Sequence, residues 1–510
     1  MPSRPTTRAL ALAALAGVLY WAAQPPLALG SLAFLALVPL LLAVRGAGPW
    51  SALALGWLAG TIACNGLTSA SIHVALLRAG HPGWLAALEA MVIPQLCGAL
   101  YFAAFAAYAA ILERRRPGTA WRIVLLPAAW VACELARSRL GNGMPWVLLA
   151  HAEVDRPWLL QVADVAGASG VSFVVAMVNV LAAMLLERPR AGRSRLGAPV
   201  AFAGATLLAV VAYGRTELVR WRAPAGRPLR VALVQGNIPD EWRTELRQLP
   251  AVLARYRELV TLAARGGPEL VVLPENAAGV SPSANPQILA QLATPLAGSG
   301  ARLLLGAPRT VALGPGSAAV RNSAFLVDAT GTLRATYDKM HLVPFGETST
   351  WLLPAALQRR LGVPDDYSAG DAATLFDVDG ARAGVLICWE GIYAEAARAL
   401  ARAGATLLVN LSNDDWFGGH AAAEQHFRAT LLRAIETRRP LVRATNSGVT
   451  ALVDARGIVI AAAPRDAATV LAGTVTTLST PTLYTRIGDV FAWTCLLAAL
   501  GALLLPRPRA

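Results

Sequence analysis

Long apolar runs constrain this chain more than any other feature of its sequence. A bilayer core takes roughly 20 mostly apolar residues per helix, with a working range of about 17 to 25. The sequence offers candidates at about 9–23, 29–44, 50–66, 84–112, 123–136, 165–186, 198–214 and 488–506. Eight such segments predict a multi-pass α-helical membrane bundle, with the first and fifth short for a span. The first follows Arg4 and Arg8 like the core of a signal peptide, but the spans close behind it favour a retained helix. Composition agrees. Hydrophobic residues make up 55% and charged residues 15% of the 510, against about 25% charge in soluble domains. Mean hydropathy is +0.49. Five cysteines in so long a chain exclude a disulfide scaffold.

The net charge of +14 is unevenly placed. Between Arg227 and Thr480 there are 24 basic and 22 acidic residues, so the remaining 21 and 9, which carry most of the excess, lie among the apolar segments. That placement reads as membrane topology, and no nucleic-acid partner is expected. With a cytoplasmic N-terminus, short inner segments hold thirteen arginines, among them Arg4, Arg45, Arg114, Arg122, Arg188 and Arg507. Short outer loops hold four: Arg78, Arg137, Arg139 and Arg156. This asymmetry predicts both termini in the cytoplasm and 215–487 outside, in a bacterium the periplasmic side of the inner membrane. Arg215, Arg220 and Arg222 on the near edge run against the rule, which long translocated domains obey weakly. Glu89 and Glu134 fall within spans, where an ionisable group is either functional or paired inside the bundle.

From Leu229 to about Thr477 the pattern changes. Short β-branched runs recur at Arg230–Gln235, Leu270–Leu273, Leu303–Leu305, Ser323–Val327, Gly384–Ile387 and Leu407–Leu411. Helical stretches intervene at Leu249–Ala264, Ala394–Arg402 and Ala421–Arg438. Alternation of this kind predicts a layered α/β domain. The organisation expected is a seven-helix bundle over 1–220, a catalytic domain over 227–480, and a final helix with a cytoplasmic tail over 485–510. Several strands run straight into polar residues: VVLPENA, LICWEG and LLVNLSNDDWFG. Sites in open α/β sheets form where strands end.

Two counts narrow the search. Cys64, Cys97, Cys133 and Cys495 fall in apolar spans, leaving Cys388 alone in the α/β segment. A lone cysteine is often a small buried hydrophobe, but this one follows a strand and precedes Trp389-Glu390. The chain also has 44 arginines and a single lysine, Lys339. Arginine is a planar fork, whereas lysine is a compact ammonium that can change protonation state. Acyl chemistry at a thiol needs a base, a stabilised oxyanion and a proton for the leaving group. Glu275 in LPEN suits the base, and Lys339 with the backbone N–H after Cys388 suits the oxyanion. Glu275, Lys339 and Cys388 therefore form a candidate catalytic set.

The stretches LVVLPENA, YDKMHLVPFGE and GVLICWEG resemble the nitrilase superfamily, whose catalytic set is Glu, Lys and Cys. Together with the flanking helices and with LVQGNIP, SNDDWFG, EQHFRAT, RPLVRATNSGVT and CELARSRLGNGMPW, the whole chain resembles the apolipoprotein N-acyltransferase family. The resemblance implies an αββα nitrilase-like sandwich on about eight transmembrane helices. It also implies a Cys388 thioester, a phospholipid acyl donor, and diacylglyceryl-modified apolipoproteins as acceptors. It implies further roles. Glu347 would support Lys339 or form a surface ion pair, Glu390 would be a further essential position, and Trp389 would supply the oxyanion N–H. Asn322, Trp242, Trp351, Ser412, Asn413 and Trp416 would contact substrate or shape the pocket, or serve as structural anchors and turns. Residues 348–363, around Trp351, would rest on the bilayer or pack as a loop. His341 and His426 lack partners at metal-ligand spacing and read as structural. No cofactor or metal is expected, and the protein would act as a monomer. A membrane-tethered amidase acting on small amides is the alternative reading, since it would use the same three residues.

Overall fold

The computed structural model describes residues 5–115, 120–141, 143–187, 196–239, 242, 246–277, 279–282, 285–314, 317–344, 346–348, 354–360 and 367–504. The chain divides into two compact units. One comprises Met1–His73, Gly83–Val219 and Ile487–Ala510, and the other Val74–Pro82 with Arg220–Arg486.

The first unit is helical. Among the described residues, four stretches are long and apolar enough to cross a membrane: Pro49–Arg78, Gly83–Arg115, Ala163–Leu186 and Gly197–Arg220. Thr7–Ala23, Gly30–Ala43 and Val490–Leu504 are apolar but shorter. Arg122–Arg139 runs 18 residues and ends on Arg137 and Arg139.

Three of the expected spans differ in detail. The one at 29–44 is not a continuous helix, because a 3-10 turn over Gly30–Phe34 precedes a six-residue helix, Val38–Ala43. Asn179 holds the break, accepting from the Leu37 N–H at 2.8 Å and donating to the Ala33 carbonyl at 2.8 Å. Backbone groups freed inside an apolar bundle need such partners. The helix expected over 50–66 continues to Arg78, since no charged residue interrupts it. The Thr68 hydroxyl folds back on the Cys64 carbonyl at 2.8 Å, so it adds no unmet polar group. The fourth carries a π-turn, Gln95–Ala99, directly after Pro94. Glu134 lies inside the unit and accepts from Trp130 Nε1 at 3.0 Å and the Leu149 N–H at 2.9 Å, so it is paired internally.

The second unit is the layered domain. Its strands are β1 (Arg227–Gln235), β2 (Leu270–Val272), β3 (Arg302–Gly314), β4 (Ser317–Val327), β5 (Leu333–Asp338), β6 (Leu375–Val378), β7 (Ala381–Ile387), β8 (Leu407–Ser412), β9 (Leu441–Thr445), β10 (Ala451–Val453), β11 (Val459–Ala462) and β12 (Thr469–Thr477). They form two six-stranded sheets, ordered β12-β1-β2-β3-β4-β5 and β11-β10-β9-β8-β7-β6. Central pairs are parallel (β1–β2, β2–β3, β7–β8, β8–β9) and outer pairs antiparallel.

Alternating side chains explain the layering. Leu229, Val231, Leu233, Leu270, Val272 and Leu304 meet Val385, Ile387, Leu407, Val409 and Leu411 in one core between the sheets. The intervening residues Ala232, Val234, Val271 and Leu303 face outward, against Val252, Tyr256 and Leu259 of helix Leu249–Ala264 and Leu292 of helix Gln287–Ala293. Strands buried on both faces read as continuous apolar runs rather than alternating ones. The nitrilase-like sandwich expected from sequence is the fold of this unit.

Candidate active site

The site assembles where four strands end. Glu275 lies three residues past β2, Lys339 directly follows β5, Cys388 directly follows β7, and Ser412 closes β8. One glycine makes the arrangement possible. A Cβ on Gly306 of β3 would sit 2.6 Å from Glu275 Cα and 2.8 Å from the Asn276 nitrogen, so only glycine lets β3 pass this close. Cys388 adopts a left-handed backbone, φ 48°, between β7 and a 3-10 turn over Cys388–Ile392. Non-glycine residues take up that conformation at a cost, and such strain clusters at functional sites.

Glu275, Lys339 and Cys388 come together, all buried. Lys339 Nζ lies 3.5 Å from Glu275 Oε1 and 2.9 and 2.8 Å from the two Glu347 oxygens. Asn322 bridges both carboxylates, its Nδ2 donating to Glu275 at 2.7 Å and to Glu347 at 2.9 Å. The Asn413 backbone N–H donates to the other Glu275 oxygen at 2.9 Å. The Cys388 thiol lies close enough to Glu275 and Lys339 to feel both charges. Glu347 is steadied by the Val343 N–H at 2.8 Å.

Burial sets the electrostatics. It pushes the Glu275 carboxyl above its ordinary range and Glu347 adds repulsion, against the pull of Lys339 and the hydrogen bond from Asn322. The Cys388 thiol is also raised, by burial first and then by the neighbouring Glu275, with Lys339 working the other way. Burial disfavours the Lys339 ammonium, but Glu347, Glu275 and Cys388 outweigh it and hold the charge firmly in place. A thiol and a carboxyl that are both reluctant to ionise, beside a fixed cation, can share one proton. That is what a base acting on a thiol requires.

Glu390 and Trp389 stand behind this cluster. One Glu390 oxygen accepts from Tyr337 Oη (2.7 Å), the Met340 N–H (2.8 Å) and the His341 N–H (3.1 Å). The other accepts from the Ile387 N–H at 2.8 Å. Glu390 thus ties the segment bearing Lys339 to the turn bearing Cys388. The Trp389 indole donates to Tyr393 Oη at 2.8 Å, and Tyr393 stacks on His341. Trp242 is half-buried against the outer core that includes helix Leu249–Ala264. Trp416 is 39% exposed in the turn after Asn413. Trp351 lies outside the described residues.

A second buried cluster underlies Cys388, and only part of it was singled out from sequence. Arg443 of β9 donates to both Asp414 oxygens at 2.9 Å, to His426 Nδ1 at 3.2 Å and to Asn410. Ser412 Oγ donates to Asp414 at 2.9 Å. Burial and then Arg443 push His426 below its ordinary pKa, so the ring is neutral near pH 7. Arg443 was not singled out from sequence; the signal that could have found it is its place as the one charge in the otherwise uncharged run LVRAT, since a charge buried there must be paired.

Comparison with known proteins agrees along the chain. Residues 230–480 match the carbon-nitrogen hydrolase family, and residues 16–181 match the apolipoprotein N-acyltransferase N-terminal domain. An apolipoprotein N-acyltransferase of Geobacter metallireducens is 34% identical over 498 residues, 96% of this chain and 93% of that protein. One from Azotobacter vinelandii is 33% identical, covering 97% and 93%. Among solved structures, a Nesterenkonia AN1 amidase of the nitrilase superfamily is 18% identical, with a TM-score of 0.38, covering 52% of this chain and 95% of the amidase. Both the helical part and the α/β part are matched, at over 30% identity across nearly the whole length: the chain belongs to the apolipoprotein N-acyltransferase family.

Proposed function

We propose that the protein transfers a fatty acyl chain from a phospholipid to the α-amino group of a lipoprotein's N-terminal diacylglyceryl-cysteine, through a thioester on Cys388. In the first half-reaction Glu275 accepts the thiol proton and the sulfur attacks the donor's ester carbonyl. The resulting oxyanion faces Lys339 and the Trp389 N–H. On collapse the C–O bond breaks, and Glu275 returns the proton to the departing lysophospholipid. In the second, the neutral amine attacks the thioester and gives its proton to Glu275. The C–S bond then breaks, and the thiol is restored. An ester becomes a more stable amide, so no nucleotide is required.

The single observation that carries this reading is the buried convergence of one carboxyl, one ammonium and one thiol from three strand ends, each within electrostatic reach of the others. Glu347 and Asn322 hold the set in register, and Glu390 joins its two halves. Asn413 and Ser412 complete its wall, while Trp242, Trp351 and Trp416 are kept as substrate-contact candidates. The catalyst is read as a monomer. The eight apolar segments are read as spans. Both termini lie in the cytoplasm, and the 227–480 domain lies on the periplasmic face, where exported lipoproteins are found.

Intact mass of the purified protein mixed with phospholipid, wild type against Cys388→Ser, tests the reading. The expected result is one fatty-acyl increment on wild type, absent from the variant and discharged by a diacylglyceryl-cysteinyl peptide. No adduct during turnover, with ammonia released from small amides, would favour the tethered amidase.

A further inference from the structure

The carbonyl of Cys388 has no part in the scheme above, yet it is held more elaborately than any turn requires. His426 Nε2 lies 3.0 Å from it and Asn410 Nδ2 donates to it at 3.3 Å. A carbonyl only accepts, so the Nε2 contact calls for a proton on Nε2; Nδ1, 3.0 Å from Asp414 Oδ1 and 3.2 Å from Arg443, then accepts from the guanidinium. Both donors are fixed in turn. Asn410 also donates to the Leu386 carbonyl at 2.9 Å and accepts from Arg443, while Arg443 reaches His426 Nδ1 and is anchored on Asp414. Asn410, His426 and Arg443 are wholly buried. Apolar side chains would fill this space at lower desolvation cost, so the polar cluster points to a task beyond packing.

The carbonyl of residue 388 and the N–H of residue 389 belong to one peptide unit. Hydrogen bonds onto the oxygen draw electron density through that unit and strengthen the N–H as a donor, by about 10–30% per bond. They also fix the peptide plane, and hence the direction of the N–H, in a residue whose φ is 48°. We propose that His426 and Asn410 are positioning residues that act through the 388–389 peptide, aiming and polarising the Trp389 N–H toward the oxyanion. The inference rests on the reading of Cys388 as the nucleophile.

The test compares two reactions of Cys388 in the full-length protein. Acylation by phospholipid passes through an oxyanion, whereas alkylation by iodoacetamide does not. Loss of an oxyanion-hole donor outright costs about 10²–10³ in rate, so weakening one should cost about tenfold or more. His426→Leu, which has no donor, should slow acylation by that factor in kcat with little change in KM, and leave the alkylation rate intact. His426→Gln places an amide N–H near Nε2 and should recover most of the loss. Asn410→Asp, which swaps donor for acceptor at the same size, should show the same signature and serves if His426→Leu does not fold. Equal acylation in His426→Leu and wild type overturns the proposal. So does a parallel fall in alkylation, or a His426→Gln variant as slow as His426→Leu. If wild type itself acquires no acyl group, the nucleophile assignment fails instead.

Discussion

At the residue scale, two carboxylates share one ammonium yet are held differently. Glu347 chelates Lys339 with both oxygens, while Glu275 stands 3.5 Å off, held by Asn322 and the Asn413 N–H beside the thiol. Glu275 must be ionised to take a proton, and burial with Glu347 repulsion holds it above the ordinary carboxyl value of about 4.3. kcat/KM therefore rises with pH along an acid limb displaced upward from that value. In Glu347→Gln the repulsion disappears and Lys339 is left to Glu275; both changes favour the ionised carboxyl. The limb should move to lower pH, while kcat falls about 10- to 100-fold, in keeping with about 1.5–3 kcal/mol for a charge-assisted hydrogen bond. A pH–rate series on the variant decides it, and a limb that stays put or moves up contradicts the assignment. Composition exposed Lys339 and Cys388, one through the absence of other lysines and the other through the absence of other cysteines outside the spans. The roles of Asn410 and Arg443 were not legible. They depend on β8 and β9 lying side by side, which fixes Asn410 opposite Arg443.

At the element scale, what mattered was where strands stop. The polar endings VVLPENA, LICWEG and NLSND were visible as strings, and the runs before them are strands β2, β7 and β8. Sheet order was not visible, because apolar strands buried on both faces carry no register of their own. The broken helix at Gly30–Ala43 was hidden for a similar reason, since the partner that satisfies it, Asn179, lies 142 residues from Leu37. Gly306 shows how tightly neighbouring elements are coupled. Its missing side chain lets β3 approach the Glu275 turn, and a Cβ there would meet backbone atoms at 2.6 and 2.8 Å, which cannot rotate away. Gly306→Ala should then cost about 1–3 kcal/mol, the usual penalty of overpacking. It should also displace Glu275 and lower the acylation rate. Thermal unfolding in detergent, read beside acylation, checks both, and a variant with unchanged midpoint and rate would show that the strand yields freely.

At the scale of the whole molecule, charge separates the two units. The α/β unit is almost neutral, so the positive excess belongs to the short loops between apolar helices, and it is this excess that orients a chain in a membrane. Hydropathy located the segments, but four of the eight lack the length or apolarity to be assigned as spans on that ground alone. A 15-residue helix such as Val490–Leu504 reaches only about 22 Å at 1.5 Å per residue, short of the roughly 30 Å core, so on the eight-span reading it would draw on flanking residues or local thinning. Orientation can be measured directly. The native cysteines lie within the apolar helices or the buried site, so new surface cysteines stand out. Ser299→Cys sits on an exposed turn of the α/β unit and Arg45→Cys on an exposed loop between helices. A membrane-impermeant maleimide should label Ser299→Cys in cells whose outer membrane alone is opened, and Arg45→Cys only after the inner membrane is breached. The reverse order would place the thiol site in the cytoplasm, on the wrong side of the membrane for exported lipoproteins. It would also mean that the arginines at Arg215, Arg220 and Arg222 outweigh the thirteen in the termini and short loops assigned to the inner side.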